Sequence, residues 1–459
     1  MTKDLTKGSP AKLIVAFTLP LLIGNIFQQL YNMADTLIVG RTIGPDALAA
    51  VGCTGSVMFF IIGFAQGMTS GLSIVVAQRF GAGDEEGVRR SFAMGIVIAG
   101  GVTILLTAIA VLLARPVLEL MQTPAKIIDD AYSYIVVIYA GIAASVLFNF
   151  LSNVLRALGD SRTPLIFLVI ASLLNIGLDF VFILGCSMGV SGAAFATVIS
   201  QAVSGLLCLA YIVKRFPILH IKRGDWRQGK GQMLLHIRLG LPMGFQSSII
   251  AIGTITVQVA LNTLGTTAVT AYTAASKIDN LMTMPSMSFG IAMATYTAQN
   301  YGANLIKRIQ AGVRRCCLIA GSISVLLGLV NIFAGNYLVM AFVGESSQEI
   351  VSLSQIMLTI NGICYVFLAI LFIFRNTIQG LGNSFIPTLS GILELAVRIF
   401  AAIVLTSFWG FTGACLANSM AWISAMILLV IGYFVVRRRL LNRPEMAVPR
   451  AVFPEGHEE

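Results

Sequence analysis

The chain has 459 residues, of which 57% are hydrophobic and only 11% are charged, too few to cover a water-facing surface. The net charge of +10 would suit nucleic-acid binding in a soluble protein, but the basic residues lie between apolar runs and form no patch with aromatic side chains. Composition and charge therefore exclude a soluble enzyme and a nucleic-acid-binding protein, and they predict a polytopic membrane protein.

Apolar runs long enough to cross a bilayer recur along the chain. A bilayer core of about 30 Å requires about 20 helical residues, and these runs are too long and unbroken for barrel strands. The first run has no small-residue cleavage site at the expected distance, which predicts a retained helix and not a signal peptide. The twelve predicted transmembrane helices are residues 14–40, 47–78, 91–114, 131–155, 164–185, 190–213, 239–262, 266–298, 312–334, 350–374, 387–408 and 412–436.

Basic residues are distributed unequally between the two sides of the predicted membrane. If the amino terminus is cytoplasmic, the opposite side carries only Arg41, Arg115 and Lys126, whereas the cytoplasmic stretch 214–238 is rich in Lys and Arg. We assign Arg375 to a cytoplasmic segment after the tenth span. This bias follows the positive-inside rule and predicts that both termini are cytoplasmic.

The two halves of the chain repeat the same motifs in the same order. Because six spans is an even number, both repeats enter the membrane in the same sense, which implies a pseudo-two-fold axis along the membrane normal. The paired motifs are Leu19–Pro20 with Leu241–Pro242, Ala77–Gly81 with Ala298–Gly302, Leu158–Pro164 with Leu381–Pro387, and Gly189–Ala193 with Gly410–Ala414. The predicted parts are an amino-terminal six-helix lobe (1–213), a basic cytoplasmic linker (214–238), a carboxyl-terminal six-helix lobe (239–436) and a cytoplasmic tail (437–459).

Acidic residues inside the spans are the strongest functional candidates, because a carboxylate there costs about 2.5–3.5 kcal/mol on insertion scales unless it is paired or neutralised. In the fifth span, Asp179 shares one helical face with Asn175 and Ser172. Tyr134 in the fourth span and Thr197 in the sixth add further oxygen atoms. The polar residues that share one face of the first span are Gln28, Tyr31, Asn32 and Asp35.

An oxygen-rich pocket with one or two carboxylates suits a sodium ion at Asp35 and Asp179, or a proton, because desolvation favours the neutral form of a carboxyl group. The sequence does not choose between these two ions. The alternative interpretation is that the polar residues only form hydrogen bonds that hold helices together.

Four charged residues in the second half have no assigned role. Glu394 and Arg398 are four residues apart, which predicts an ion pair within one helix. Lys277 and Asp279 are two residues apart and face different directions, so each requires another partner.

Several other site types are absent from the sequence. The seven cysteines form no CxxC motif, no phosphate-binding GxxxxGK[ST] motif occurs, and no histidine cluster has metal-ligand spacing. We therefore expect no disulfide framework, no ATP-driven pump, no catalytic residues and no cofactor other than a coupling ion.

The twelve spans, the parallel duplication and the run Met33-Ala34-Asp35-Thr36 after Pro20 resemble the MATE family, multidrug and toxic compound extrusion. The resemblance covers about residues 10–436, and the basic linker and short tail look like a bacterial member. It implies a monomeric multi-pass transporter in the bacterial cytoplasmic membrane, whose partners are small organic molecules and membrane lipids.

The resemblance also implies site residues. In DinF-like members the amino-terminal lobe holds the coupling site, and the matching residues here are Asp35, Tyr134, Asn175, Asp179 and Thr197. Other branches use acids of the carboxyl-terminal lobe, but here the seventh-span position is Gln246 and the tenth span has no acid. The predicted lining of the substrate cavity consists of Gln28, Tyr31, Asn32 and Gln246.

We therefore predict a proton- or sodium-coupled antiporter that exports amphipathic, often cationic, organic compounds by alternating access of two lobes. Two other functions stay open. A lipid-linked precursor flippase would require a large basic cavity, and a receptor or scaffold without transport would show no ion-dependent flux of substrate.

Overall fold

A computed structural model describes residues 4–226, 229–343 and 348–441, and these residues are almost entirely helical. The end of the predicted tail, 442–459, and residues 227–228 of the predicted linker lie outside the described residues. The helices are α1 (Pro10–Thr42), α2 (Pro45–Gly81), α3 (Glu85–Leu120), α4 (Ile128–Ala140), α5 (Ile142–Ala157), α6 (Arg162–Asp179), α7 (Val190–Arg215), α8 (Lys230–Asn262), α9 (Thr266–Gly302), α10 (Ile306–Val343), α11 (Gln348–Gly380), α12 (Phe385–Phe400) and α13 (Thr406–Leu441).

Each predicted span coincides with a helix or with a pair of consecutive helices. The fourth span consists of α4 and α5, which meet at Gly141 with a bend of 47°. In the part of the chain that is described, nine helical segments are long and apolar enough to cross a membrane, or ten with this bent pair. One segment, Phe385–Leu441, holds two predicted spans separated by a non-helical residue, Gly410. Helix α9, which contains the eighth predicted span, is more polar than the others and is not among these segments.

The helices form two compact units, and two helices contribute to both. Unit 1 contains Ile23–Ser248, and unit 2 contains Leu5–Leu22 together with the described residues from Ile249 to Leu441. The units are thus divided inside α1 and inside α8, close to Pro20 and Pro242, which remove a backbone donor from each helix. The lobe boundaries drawn between spans stay a prediction.

The segment before α1 is anchored in unit 2. The Leu5 side chain is buried in an apolar cluster with Phe17, Tyr296 and other residues. The Leu5 amide donates to Gln299 Oε1 (3.0 Å), and its carbonyl accepts from Asn300 Nδ2 (3.2 Å). The repeated motif Ala298–Gly302 therefore holds the start of the chain, a role that its sequence did not indicate.

The backbone repeats with the sequence. Gly189 (φ 62°, ψ −143°) and Gly410 (φ 54°, ψ −130°) occupy the same unusual region of backbone space at an offset of 221 residues. The π-helical turns Phe180–Gly185 and Ala401–Leu405 begin at the same offset. The internal duplication predicted from four short motifs is thus present in the geometry of both units.

We expect Gly189→Ala to lower the thermal unfolding midpoint of the purified protein, because an alanine in this region of φ and ψ costs about 1–3 kcal/mol. The matched control is Gly101→Ala in α3, where an added Cβ meets no atom within 4 Å. Since alanine is the better helix former, the control should leave the midpoint unchanged or raise it. Equal shifts for the two variants would contradict this explanation of Gly189.

Candidate functional site

Two carboxyl groups meet inside unit 1. Asp35 lies on α1 and Asp179 is the last residue of α6, and their carboxyl groups are close enough to interact electrostatically. Asp179 is fully buried and Asp35 is 8% exposed. The π-helical turn that starts directly after Asp179 widens the helix next to this carboxyl group, as π turns often do at functional sites.

A chain of hydrogen bonds connects three helices beside this pair. Asn175, one turn before Asp179 and fully buried, donates from Nδ2 to Thr197 Oγ1 at 3.3 Å. The Tyr31 hydroxyl lies 3.3 Å from the same oxygen. The Tyr134 side chain is buried close to both carboxyl groups and to Tyr31. The structure thus brings together the five residues predicted for the coupling site, and it adds Tyr31.

Several acceptor atoms of this cluster have no donor among the described residues. They are Asp35 Oδ1, Asn175 Oδ1 and both carboxylate oxygens of Asp179, all buried. A buried acceptor without a partner costs about 1–3 kcal/mol, and more when it is charged. Two carboxylates and an amide oxygen are ligands for a hard cation such as sodium. The same pair also suits a shared proton, because two adjacent carboxylates do not both ionise easily.

The remaining residues of the predicted polar stripe lie apart from this cluster. Gln28 donates to Asn32 at 3.5 Å on the same helix, and Asn32 is exposed. Gln246 is buried in α8. The assignment of these residues to a substrate cavity stays a prediction. The described ranges contain no group of three or more His, Cys, Asp or Glu residues suited to a metal ion.

Unit 2 holds a carboxyl group that is already supplied with donors. Asp279 Oδ1 accepts from the Tyr365 hydroxyl (2.6 Å) and from Asn361 Nδ2 (3.0 Å). Asn361 accepts in turn from Ser419, at 3.1 Å. Sequence reasoning did not find these partners, although Asn361 and Tyr365 are four residues apart and share one face of α11.

Unit 2 also contains a buried charge triad. Glu394 pairs with Arg398 (2.9 Å), as predicted, and with Arg375 (2.7 Å), and all three side chains are nearly fully buried. Arg375 lies within α11, which continues to Gly380, and its side chain is buried in the protein and not exposed in a loop; its assignment to the cytoplasmic side stays a prediction. Gly253 makes room for Arg398, since a Cβ there would lie 2.6 Å from its guanidinium. Lys277 is exposed and forms no ion pair within the described ranges.

Comparison with known proteins identifies what the chain resembles. A family model described as MatE matches twice, over residues 20–181 and 242–404, in agreement with the duplication. The "Probable multidrug resistance protein YpnP" of Bacillus subtilis is 27% identical over 88% of this chain and 90% of its own length. The "Multidrug export protein MepA" of Staphylococcus aureus is 22% identical over 95% of this chain and 96% of its own.

The fold agrees with that of solved structures. A structure described as the outward-facing conformation of a multidrug resistance MATE family transporter superposes with a TM-score of 0.88 at 25% identity. The superposition covers 96% of this chain and 98% of that one. The two units therefore have the twelve-helix architecture of these transporters.

Proposed function

Because the chain belongs to the MATE family of multidrug efflux transporters, we propose that it is a cation-coupled antiporter that exports amphipathic, often cationic, organic compounds. The observation that carries the coupling mechanism is the set of buried acceptor oxygens on Asp35, Asn175 and Asp179 that have no donor among the described residues. In a transporter, buried oxygen atoms without hydrogen-bond donors can be stabilised by a bound cation. Such a site is suited to bind the ion that drives export.

The ion, proton or sodium, would act by changing the repulsion between the two carboxylates. Without it, Asp35 on α1 and Asp179 on α6 carry like charges at close range, which favours separation of the two helices. With it, the carboxyl groups approach and the Thr197 hydroxyl keeps α1, α6 and α7 together. A cation that binds one conformation more tightly than the other shifts the equilibrium between inward-open and outward-open states.

Helix α1 is suited to transmit this change. Asp35 lies in the part of α1 that belongs to unit 1, whereas the residues up to Leu22 belong to unit 2. Pro20 lacks a backbone donor, so bending near this residue breaks no hydrogen bond of its own amide. A movement of Asp35 would thus displace the second part of α1, and the helix could bend near Pro20, close to the point where its two parts belong to different units.

The family and the charge distribution support a proposal for the cellular setting. We place the protein in the bacterial cytoplasmic membrane as a monomer surrounded by lipid, with both termini cytoplasmic, because the basic residues concentrate in the loops on that side. The coupling ion is the only cofactor that this function requires.

Efflux of a fluorescent cationic dye from proteoliposomes tests this function. We expect that an imposed proton or sodium gradient accelerates efflux, and the gradient that does so identifies the coupling ion. If dye leaves equally fast with and without either gradient, the antiport mechanism is wrong. If no dye moves, flux of a lipid-linked precursor is measured next, and absence of both fluxes supports a receptor or scaffold.

A further inference from the structure

Helix α9 of unit 2 exposes an entirely polar face over its first four turns. In this described stretch no large apolar side chain is exposed between Thr266 and Asn280. The opposite face is buried and includes Ala271, Ala275 and Asp279. The exposed polar residues follow one another at intervals of four or three, which places them on one side of the helix. They are Thr266, Thr270, Thr273, Lys277 and Asn280, and we call them the α9 polar face.

The position of Lys277 in the predicted span argues against contact of this face with lipid. Lys277 is the twelfth residue of α9, so it lies about 16 Å along the helix axis at 1.5 Å per residue. If the span begins at Thr266, as the sequence predicts, this distance is about half of the ~30 Å apolar core of a bilayer. Charged side chains at such depth face the interior of a helix bundle or a water-filled cavity. Since Lys277 is exposed, the α9 polar face borders water.

The charge of Lys277 is not compensated within unit 2. Asp279 lies on the buried face and is held by Tyr365 and Asn361, and Glu394 is shared by two arginines. The ion pairs of the described ranges include none with Lys277. Lys277, Arg375 and Arg398 together stand against the two acids Asp279 and Glu394, so these five side chains carry an excess of one positive charge.

The duplication supplies an internal comparison. The positions of α2 that correspond to the α9 polar face, 221 residues earlier, include Ala49, Gly52 and Phe59, which are exposed and uncharged. Ser56 stands in the sequence where the second repeat has Lys277. The same helix face is thus charged in one repeat only, which indicates that the fold itself does not require the lysine.

The free donors on the α9 polar face are few. The hydroxyls of Thr270 and Thr273 donate to the carbonyls of Thr266 and Val269, at 2.9 and 2.7 Å. The Lys277 ammonium and the Asn280 side-chain amide, one turn apart, are the groups that can donate to a ligand. An ammonium and a neighbouring amide suit a carboxylate, which accepts on two oxygens.

We infer that Lys277, with Asn280 beside it, binds a carboxylate group of the exported compound, so that these two residues select substrates that carry an acidic group. This inference rests on the proposed transport function and names the residues that recognise one chemical group of the substrate. A zwitterion combines the positive charge expected of many substrates with the acidic group that Lys277 recognises, and its carboxylate neutralises a lysine that unit 2 leaves without a counter-charge.

Transport of a rhodamine zwitterion and of its methyl ester, which differ only in the free carboxylate, tests the inference. Both dyes are loaded into proteoliposomes containing the full chain, and the driving gradient is the one that the wild type uses. For Lys277→Gln we expect zwitterion efflux to fall about tenfold, as for loss of one charge-assisted hydrogen bond, with ester efflux within about twofold of wild type. Lys277→Arg should retain zwitterion efflux.

The matched control is Lys307→Gln, which removes the same charge from an exposed lysine in the first turn of α10, outside the predicted spans. It should leave both dyes unaffected. Equal losses for zwitterion and ester in Lys277→Gln, or no loss for either, would overturn the inference while leaving cation-coupled export intact.

A binding measurement separates this inference from the transport proposal. Fluorescence polarisation of the two dyes on the purified protein requires no gradient and no flux. If the wild type moves neither dye, the proposed function fails, but tighter binding of the zwitterion than of the ester, lost in Lys277→Gln, would still support the carboxylate site. Equal affinities of the wild type for both dyes would refute it.

Discussion

Asp179→Asn should abolish cation-driven export, lowering the initial rate of dye efflux about a hundredfold, as expected when two charge-assisted contacts to a cation are lost. Both Asp179 oxygens are buried without a donor, so this residue contributes more unsatisfied acceptors than any other in the site. The asparagine side chain has nearly the same shape, but it cannot take up a proton. Its amide group can also donate a hydrogen bond to the Asp35 carboxylate in place of the cation. Efflux from proteoliposomes under the driving gradient measures the effect.

The matched control is Asp46→Asn, which removes an acid of α2 that is exposed and paired with Lys126. Its efflux should equal that of the wild type. Size-exclusion chromatography and circular dichroism show whether each variant is folded. A folded Asp179→Asn variant with wild-type efflux would contradict the assignment of this carboxyl group, and so would an equal loss in the Asp46 variant.

Glu394→Gln should be strongly destabilising, by about 3–5 kcal/mol in the free energy of unfolding, because it leaves two buried arginines without a counter-charge. Arg375 and Arg398 come from α11 and α12, so Glu394 connects the two helices through its two oxygens. An equilibrium unfolding titration of the purified protein in detergent measures the change.

Glu119→Gln removes the same charge from an exposed pair with Arg115, both on α3, and serves as the control. Exposed pairs contribute about 0–1 kcal/mol, so this variant should unfold near the wild-type midpoint. If the two glutamate variants have the same stability, the triad is not the structural connection that its burial indicates.

The two units share a backbone but differ in the state of their buried acids. In unit 1, Asp35 and Asp179 approach each other and retain oxygens without donors. In unit 2, Asp279 receives two hydrogen bonds and Glu394 is shared by two arginines. An acid that is already satisfied gains little from a cation, which supports a coupling role for unit 1 and a structural role for Asp279 and Glu394.

The spans were predictable because a bilayer requires long apolar helices, and the repeated motifs revealed the duplication. The interruptions of the helices could not be predicted from the sequence. The π-helical turn after Asp179 and the bend at Gly141 depend on packing and not on an apolar pattern. Helix α11 continues beyond the predicted span to Gly380, and nothing in the sequence near Arg375 signals this continuation.

The candidate site was predictable only as a set of residues. Helical spacing places Asn175 and Asp179 on one face of α6, and the family resemblance supports Tyr134 and Thr197 as further oxygen ligands. The packing of α1, α4, α6 and α7 determines which oxygen atoms lack a hydrogen-bond donor. Local sequence patterns do not contain this packing. The partners of Asp279 on α11 were missed for the same reason, because they are more than eighty residues away in the chain.

The most direct test of cation coupling is to run the transporter in reverse. An imposed gradient of dye, without any ion gradient, should drive an opposing flux of the coupling ion in proteoliposomes, recorded with a pH-sensitive or sodium-sensitive indicator inside the vesicles. We predict that the wild type shows this counter-flux and that the Asp35→Asn and Asp179→Asn variants do not. Dye movement in the wild type without any flux of protons or sodium would contradict antiport, and an undiminished counter-flux in both variants would place the coupling site elsewhere.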